Sequence, residues 1–296
     1  MKPLRTILYS PGHKPEMIEK APNYGADALC LVLEDSVPDD RKAEARAIVA
    51  ESLSGLADRG QTVLVKVNSV DGREIESDIA EVARPGLAGI VLPKVQDADD
   101  VRRVDELLTS AEALHGVEAG SVELLVLVET PQAAVRAFEI ASASPRVATL
   151  VVGTAANGDM ARGLGFRWTP EGLERLYLRS KVVMDARAAG RDFPLDGVWG
   201  DMTDIDGLVN EAEVARQLGY RGKLVVHPKH VEPVNRVFTP SAEEVESCRR
   251  LLDVFEQALA EGAAAAVIDG QFVDYAMAAT ARQLLDLADR VGIRND

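Results

Sequence analysis

The chain has 296 residues, 47% of them hydrophobic, and a formal net charge of −15. This length suits either one α/β barrel with an appendage or two smaller domains. The acidic balance disfavours binding to nucleic acid or to an anionic membrane, since either polyanion would be repelled over most of the surface. The two cysteines indicate no disulfide framework, and no apolar run reaches the roughly 18 residues that a membrane span needs. We therefore expect a cytoplasmic protein that contacts neither nucleic acid nor membrane.

Eight short runs rich in valine, leucine and isoleucine alternate with stretches of helical spacing. Glycine, proline, asparagine or aspartate bounds the runs, which is typical of strands buried on both faces of a parallel sheet. Because parallel strands need crossover helices, eight such repeats favour a closed (β/α)8 TIM barrel over an open sheet. In chain order the runs are TILYS from Thr6, ALCLVL from Ala28, VLVKV from Val63, AGIVLP from Ala88, ELLVLV from Glu123, ATLVV from Ala148, DGVW from Asp196 and KLVVH from Lys223.

The helical spacing recurs between the runs and again after the last of them. Thr130 with Pro131 is a typical helix start, and so are Asp39 and Asp40 before Arg41. We predict a barrel domain over residues 1–238 and a C-terminal helical extension over residues 239–296, which acts as a lid at an oligomer interface. Segments with this spacing are 14–25, 41–56, 98–116 and 131–142, followed by the amphipathic segments 239–262 and 272–292.

Two acidic side chains follow neighbouring predicted strands. Glu129 ends LLVLVE, and Asp159 lies in VVGTAANGD after the next run. In a barrel both would open onto the rim formed by the carboxyl ends of the strands, where two carboxylates suit a hard divalent cation. Helix capping is the competing interpretation of an acid after a strand, and it fits Glu34 and Asp35 well. It fits Glu129 less well, because Thr130 is the better cap and an unpaired buried carboxylate is costly.

Eight segments along the chain together match the pattern of one known family. They are RTILYSPGHKPEMIEKA, LEDSVPDDRKAEAR, VLVKVNS, GIVLPKV, LVET, GDMARGLG, VWGDMTDIDGL and VVHP. In this order they resemble the citrate lyase beta subunit family and its relatives, the malyl-CoA and citramalyl-CoA lyases. The resemblance implies a (β/α)8 barrel with a C-terminal lid, a homotrimer, and Mg2+-dependent cleavage or formation of a C–C bond beside a CoA thioester.

Site residues follow from the resemblance position by position. It implies Glu129 and Asp159 as the ligands of Mg2+, and Arg5 and Lys20 as residues that bind CoA. Asp274, in GQFVD, is a candidate acid or base, with a helix cap as the alternative. The other candidates follow predicted strands, and are Lys66, Glu34 and Asp35 for catalysis, with Lys66, Asn68 and Lys94 for substrate binding.

Three positions depart from the family pattern. Lys66 stands where the family has arginine in a valine-arginine-valine-asparagine motif, which keeps the charge but loses the bidentate fork. Val32 replaces a usual aspartate. Five residues separate Gly153 from Asp159, where relatives usually have two. The lysine leaves the identity of the substrate open.

The sequence therefore predicts a Mg2+-dependent lyase that splits a 3-hydroxyacyl-CoA, such as malyl-CoA or citramalyl-CoA, into acetyl-CoA and an α-oxo acid, or condenses the two. One alternative is a thioesterase on the same hydroxyacyl-CoA. Another is a citrate lyase beta-type subunit, or a non-catalytic binding barrel. The expected partners are the small-molecule acyl-CoA, the α-oxo acid and further copies of the chain.

Overall fold

A computed structural model describes residues 3–268 and 270–292. The chain separates into two compact units, of which the first contains Pro3–Arg236 and the second begins at Val237. The domain boundary that we predicted after residue 238 stays a prediction. None of the helices in the described ranges combines the length and the apolar character that crossing a bilayer requires.

The first unit is a closed barrel of eight parallel strands, which confirms the predicted fold class. The barrel closes because β1 pairs with both β2 and β8. Each predicted run overlaps a strand, although the seventh run, DGVW, shares only Asp196 with its two-residue strand. The strands are β1 (Thr6–Pro11), β2 (Ala28–Val32), β3 (Val63–Lys66), β4 (Gly89–Leu92), β5 (Glu123–Val128), β6 (Val147–Val152), β7 (Leu195–Asp196) and β8 (Gly222–Val225).

Apolar side chains from the strands fill the barrel interior. Every residue of β2, β3 and β4 is buried, as expected for strands covered on both faces. One cluster joins side chains from strands all around the barrel and therefore lies inside it, among them Ile7, Cys30, Leu64, Leu125 and Leu224. A functional site must accordingly lie outside this packed layer, at an end of the barrel.

Helices connect the strands, with two departures from the predicted spans. The predicted helix 131–142 breaks at Arg136, whose ψ of 18° leaves the helical range. The predicted helix 14–25 ends at Lys20 and continues as a 3-10 turn, because Pro22 cannot donate the next helical hydrogen bond. The helices of this unit are α1 (Pro15–Lys20), α2 (Lys42–Asp58), α3 (Ile75–Val82), α4 (Ala98–His115), α5 (Pro131–Val135), α6 (Ala137–Ser142), α7 (Asp159–Leu164), α8 (Leu173–Ala188), α9 (Ile205–Leu218) and α10 (Val231–Phe238), the last crossing into the second unit.

A buried ion network ties α8 and α9 to the last two strands. Lys223 of β8 lies 2.6 Å from Asp196 Oδ2 and 2.6 Å from Glu211 Oε2. Arg179 Nη2 donates to the same Asp196 oxygen at 3.0 Å, and Arg175 pairs with Glu211. Burial opposes ionisation of Glu211, but Lys223 and the two arginines outweigh it and lower the pKa of Glu211 to about 2. We call these residues, with Glu174 beside Arg175, the α8–α9 network.

The second unit contains two helices and a hairpin. The helices α11 (Ala242–Ala260) and α12 (Tyr275–Arg290) lie within the predicted amphipathic segments. Between them β9 (Ala266–Ile268) and β10 (Gln271–Val273) pair antiparallel, a hairpin that the sequence analysis did not predict. Phe255, Val273 and Ala278 form the buried core of this unit.

Candidate active site

The carboxyl ends of β2 to β6 bring together five of the side chains singled out from the sequence. Glu34 lies two residues beyond β2, Lys66 ends β3, and Lys94 lies two residues beyond β4. Glu129 directly follows β5, and Asp159 opens α7 beyond β6. Neighbouring parallel strands end at one rim, so residues far apart in sequence become neighbours here. We call these five residues, with Asp35, the rim cluster.

Glu34 is buried and pairs with both lysines of this cluster. Its two carboxylate oxygens lie 2.6 Å from Lys66 Nζ and 2.7 Å from Lys94 Nζ. Burial lowers the pKa of Lys66, but Glu129, Glu34 and Asp35 outweigh burial and raise it above its usual range. Glu34 and Asp35 therefore pair with lysines, whereas the sequence also allowed both to cap a helix.

Lys94 links the acidic side chains to one another. Its backbone N–H donates to Glu129 Oε1 at 3.0 Å, while its Nζ lies 3.0 Å from Asp35 Oδ1 and 4.0 Å from Asp159 Oδ2. The residue has φ of 53°, a conformation that side chains other than glycine seldom adopt. Through this one residue, Glu129 and Asp159 lie on the same part of the rim.

Glu129 and Asp159 fit the donor set of a magnesium ion. Burial raises the pKa of Glu129 to about 7 against the opposing charge of Lys66, so its carboxylate lacks full compensation from the protein. Gly153 leaves room for it, because a Cβ at Gly153 would lie 2.7 Å from the Cβ of Glu129. Asp159 is partly exposed and also pairs with Arg162.

No group of three or more histidine, cysteine, aspartate or glutamate side chains in residues 3–268 and 270–292 could hold a metal ion. A Mg2+ ion here would therefore have two protein carboxylates, with water and substrate oxygens as its other ligands. This agrees with the reluctance of Mg2+ to shed its water.

The other predicted site residues lie in different surroundings. Asn68 is buried, and its side chain donates to Asp78 Oδ2 at 2.7 Å and accepts from Lys42 Nζ at 2.6 Å. Its amide therefore braces the loop beyond β3. Arg5 precedes β1 and so lies at the opposite end of the barrel from the rim, where it pairs with Asp27 at 2.7 Å. The structure does not bring Arg5 to the rim cluster.

Lys20 and Asp274, the two remaining predicted site residues, lie in α1 and at the start of α12. Lys20 ends α1 and is exposed. Asp274, in the second unit, caps α12 by accepting from the backbone N–H groups of Ala276 and Met277 at 2.9 and 3.1 Å. Their roles in CoA binding and in acid or base chemistry stay predictions.

Tyr9 of β1 is a residue that sequence reasoning missed. Lys66 Nζ lies 5.9 Å from the centre of its ring, and its buried hydroxyl has no hydrogen-bond partner in the described part of the chain. Burial raises the pKa of Tyr9 well above its usual value. The available signal was alternation, because Tyr9 follows the inward-facing Ile7 by two residues and so faces the same side.

Comparison with known proteins assigns the family. The family model described as HpcH/HpaI aldolase/citrate lyase matches residues 5–228. The chain belongs to this family. It is 36% identical over 290 residues to a (3S)-malyl-CoA thioesterase of Cereibacter sphaeroides, covering 98% of this chain and 96% of the relative. It is 33% identical over 292 residues to citrate lyase subunit beta of Escherichia coli, covering 99% and 95%.

Solved structures of relatives share the fold. The protein CitE of Mycobacterium tuberculosis, in complex with magnesium, acetoacetate and coenzyme A, is 27% identical with a TM-score of 0.77, covering 97% of this chain and 98% of that one. A citrate lyase beta subunit from the same organism, complexed with oxaloacetate and magnesium, is 26% identical with a TM-score of 0.66, covering 80% and 98%. The predicted family is confirmed, and so is the prediction of an enzyme from a citrate lyase beta-like family of CoA-ester lyases.

Proposed function

We propose that the protein is a Mg2+-dependent lyase acting on a 3-hydroxyacyl-CoA whose hydroxyl-bearing carbon also carries a carboxylate. The observation that carries the proposal is the shared contact of Lys94 with Glu129 and Asp159, which sets two hard carboxylate ligands beside two lysines. Solved relatives that contain magnesium together with a β-oxo acid, an α-oxo acid or coenzyme A support it.

The reaction breaks the bond between the hydroxyl-bearing carbon and the carbon next to the thioester. The hydroxyl loses its proton and becomes the carbonyl of an α-oxo acid, while the bonding electrons pass to the carbon next to the thioester, and the resulting enolate is then protonated at that carbon. Bound Mg2+ would supply Lewis acidity at the substrate oxygens. Asp274 remains our predicted acid or base.

The lysines of the rim cluster have a separate role. Lys66 is buried and paired with Glu34, so its ammonium is charged and held in one place. A fixed positive charge suits the carboxylate of the α-oxo acid, because charge-assisted hydrogen bonds are stronger than neutral ones. Glu34 orients Lys66 and Lys94 and needs no contact with the substrate.

Hydrolysis of the same thioester is the second candidate. The 36% identity to a (3S)-malyl-CoA thioesterase over nearly the whole chain favours it. In that reaction water attacks the thioester carbon, so CoA leaves as a free thiol and the hydroxy acid stays intact. The two activities therefore differ in their products.

Product analysis separates the candidates. The purified full chain is incubated with Mg2+ and either malyl-CoA or citramalyl-CoA, and the α-oxo acid and the free thiol are measured together. A lyase releases oxo acid and acetyl-CoA without free thiol, whereas a thioesterase releases free thiol and no oxo acid. Absence of both products, and of condensation from acetyl-CoA and glyoxylate or pyruvate, would overturn both proposals. A β-type subunit of a larger lyase would then be tested with an acyl-carrier protein as the thioester.

The homotrimer implied by the resemblance and the cytoplasmic location expected from the composition are also proposals. Sedimentation of the purified chain tests the trimer. A mass of one or two chains at micromolar concentration would contradict it.

A further inference from the structure

A cavity lies beside the rim cluster, between the loops that follow β6 and β7. Its volume is about 540 Å3, and its wall includes Asn157, Trp168, Val198, Trp199 and Met202. The chain has two tryptophans, and both lie in this wall. We call this cavity the tryptophan pocket. None of its lining residues belongs to the rim cluster.

Neighbouring residues hold the two tryptophan rings of the pocket in place. The Trp168 and Trp199 ring centres are 5.4 Å apart, and the guanidinium of buried Arg175 lies 4.7 Å from the centre of Trp168. Trp199 packs against Gly207, where a Cβ would lie 2.5 Å from the indole ring. A wall fixed before binding costs a ligand little ordering, which is typical of built small-molecule sites.

The pocket adjoins the place where the bond would break. Asn157 lies two residues before Asp159, a separation that extended chain limits to about 7 Å. Gly197, which directly precedes the lining residue Val198, approaches the end of β6 closely, since a Cβ there would lie 2.5 Å from the carbonyl oxygen of Val152. A group in this pocket would therefore belong to the reacting end of the substrate, because the pantetheine arm separates the nucleotide of CoA from the thioester.

The charge of the lining excludes an anionic group. No lysine or arginine is among the residues that line the pocket, and Asp201 is its one ionisable side chain. Asp201 already accepts from the backbone N–H and hydroxyl of Thr203 at 2.8 and 2.7 Å. A carboxylate or phosphate would be repelled there, whereas indole rings, valine and methionine suit an uncharged apolar group.

We propose that the tryptophan pocket binds an uncharged apolar substituent at the reacting end of the substrate, one larger than the methyl group of citramalyl-CoA. This inference rests on the proposed function. The substituent has two possible sources, the acyl half or the α-oxo acid half of the condensation product. In either case the pocket sets the substrate preference, and the rim cluster performs the chemistry.

Kinetics in the condensation direction distinguish the sources. In one arm acetyl-CoA is combined with glyoxylate, pyruvate or 4-methyl-2-oxopentanoate, and in the other glyoxylate is combined with acetyl-CoA or 4-methylpentanoyl-CoA. We expect kcat/KM to rise at least about tenfold for the branched substrate in one arm, since each well-packed methylene changes specificity by about tenfold or more. A preference for the smallest substrate in both arms would overturn the proposal.

Variants test whether the preference for the branched substrate depends on the tryptophan pocket. Ala156, an exposed residue of the lining, is changed to phenylalanine to narrow the pocket. We expect Ala156→Phe to reduce the ratio of branched to unbranched kcat/KM at least about tenfold. Ala113→Phe, on the exposed surface of α4, is the matched control and should leave this ratio unchanged. An equal ratio in Ala156→Phe and Ala113→Phe would contradict the assignment.

Tryptophan fluorescence tests the pocket without turnover, because both tryptophans line it. Two probes carry the branched group of the two sources, the neutral N-acetylcysteamine thioester of 4-methylpentanoate and 4-methyl-2-oxopentanoate. One of them should change the emission saturably and at lower concentration than its small counterpart, the acetyl thioester or pyruvate. Trp168→Phe and Trp199→Phe identify the indole that responds. Saturable binding without any lyase or thioesterase activity would overturn the proposed function and support the pocket. Activity with no fluorescence response to either branched probe would do the reverse.

Discussion

The barrel contains two groups of paired charged side chains, which differ in the number of acidic residues relative to basic ones. The α8–α9 network matches three acids, Glu174, Asp196 and Glu211, with three cations, Arg175, Arg179 and Lys223. The rim cluster sets four carboxylates against Lys66, Lys94 and the neighbouring Arg162, which leaves one negative charge in excess.

The carboxyl pKa values record this difference. Both Glu211 and Glu129 lose solvation on burial, but surrounding cations lower the pKa of Glu211 to about 2, whereas the pKa of Glu129 rises to about 7. A balanced network stabilises the fold by itself. A group with an excess of carboxylates at the rim can be neutralised by a bound cation. Two neighbouring carboxylates suit a divalent cation.

The largest effect should come from Glu129→Gln. We expect kcat/KM to fall by about a thousandfold or more, because Glu129 is one of the two proposed ligands of Mg2+ and metal catalysis is worth several kcal/mol. The free energy of unfolding should stay constant or rise, since a half-buried acid without full compensation is removed. Steady-state kinetics and urea denaturation of the same preparation check both. A clear loss of stability with unchanged kcat/KM would place Glu129 with the structural acids.

Glu211→Gln should give the opposite pattern. Removing one partner from a buried ion network leaves the others uncompensated and costs about 3–5 kcal/mol of folding free energy. The kcat of the protein that remains folded should equal that of the wild type, because Glu211 lies in α9 and contacts none of the rim cluster. Loss of activity in fully folded Glu211→Gln would show that the two groups are coupled.

Acid denaturation should sharpen the same contrast. The pKa of Glu211 is depressed in the folded state, so its contribution is fully present above its usual value of about 4.5 and is lost as the pH falls towards about 2. We expect Glu211 to account for about 3 kcal/mol of the stability that the wild-type protein loses through this window. The loss should be smaller in Glu211→Gln and unchanged in Glu129→Gln, as measured by urea denaturation at a series of pH values. Parallel pH curves for wild type and Glu211→Gln would assign the acid sensitivity to other groups.

The sequence predicted the barrel because strands covered on both faces must be apolar throughout, and each of the eight runs overlaps a strand. It predicted the rim residues for a related reason, since polar side chains directly after such runs all lie at one end. The pairing of Glu34 with Lys66 and Lys94 was not predictable, because it requires three strands to close side by side. Strand direction alone would have placed Arg5, before β1, at the other end of the barrel.

The tryptophan pocket escaped the sequence analysis for the same reason as the ion pairs. Trp168 and Trp199 are 31 residues apart and meet only where the loops after β6 and β7 become neighbours. Gly207 signals nothing in the sequence, yet it provides the space for the Trp199 ring.

The smallest effect that we predict concerns Lys66, the position where the family has arginine. Lys66→Met removes the charge and should raise KM for the α-oxo acid about 10–100-fold, the worth of one hydrogen bond to a charged group. Lys66→Arg keeps the charge, and the family pattern indicates that the barrel accommodates arginine here, so KM should change less than about tenfold. Initial rates of condensation at varied oxo acid check both variants. If Lys66→Arg raises KM as much as Lys66→Met, then the ammonium is needed for its pairing with Glu34 at 2.6 Å and not as a general positive charge.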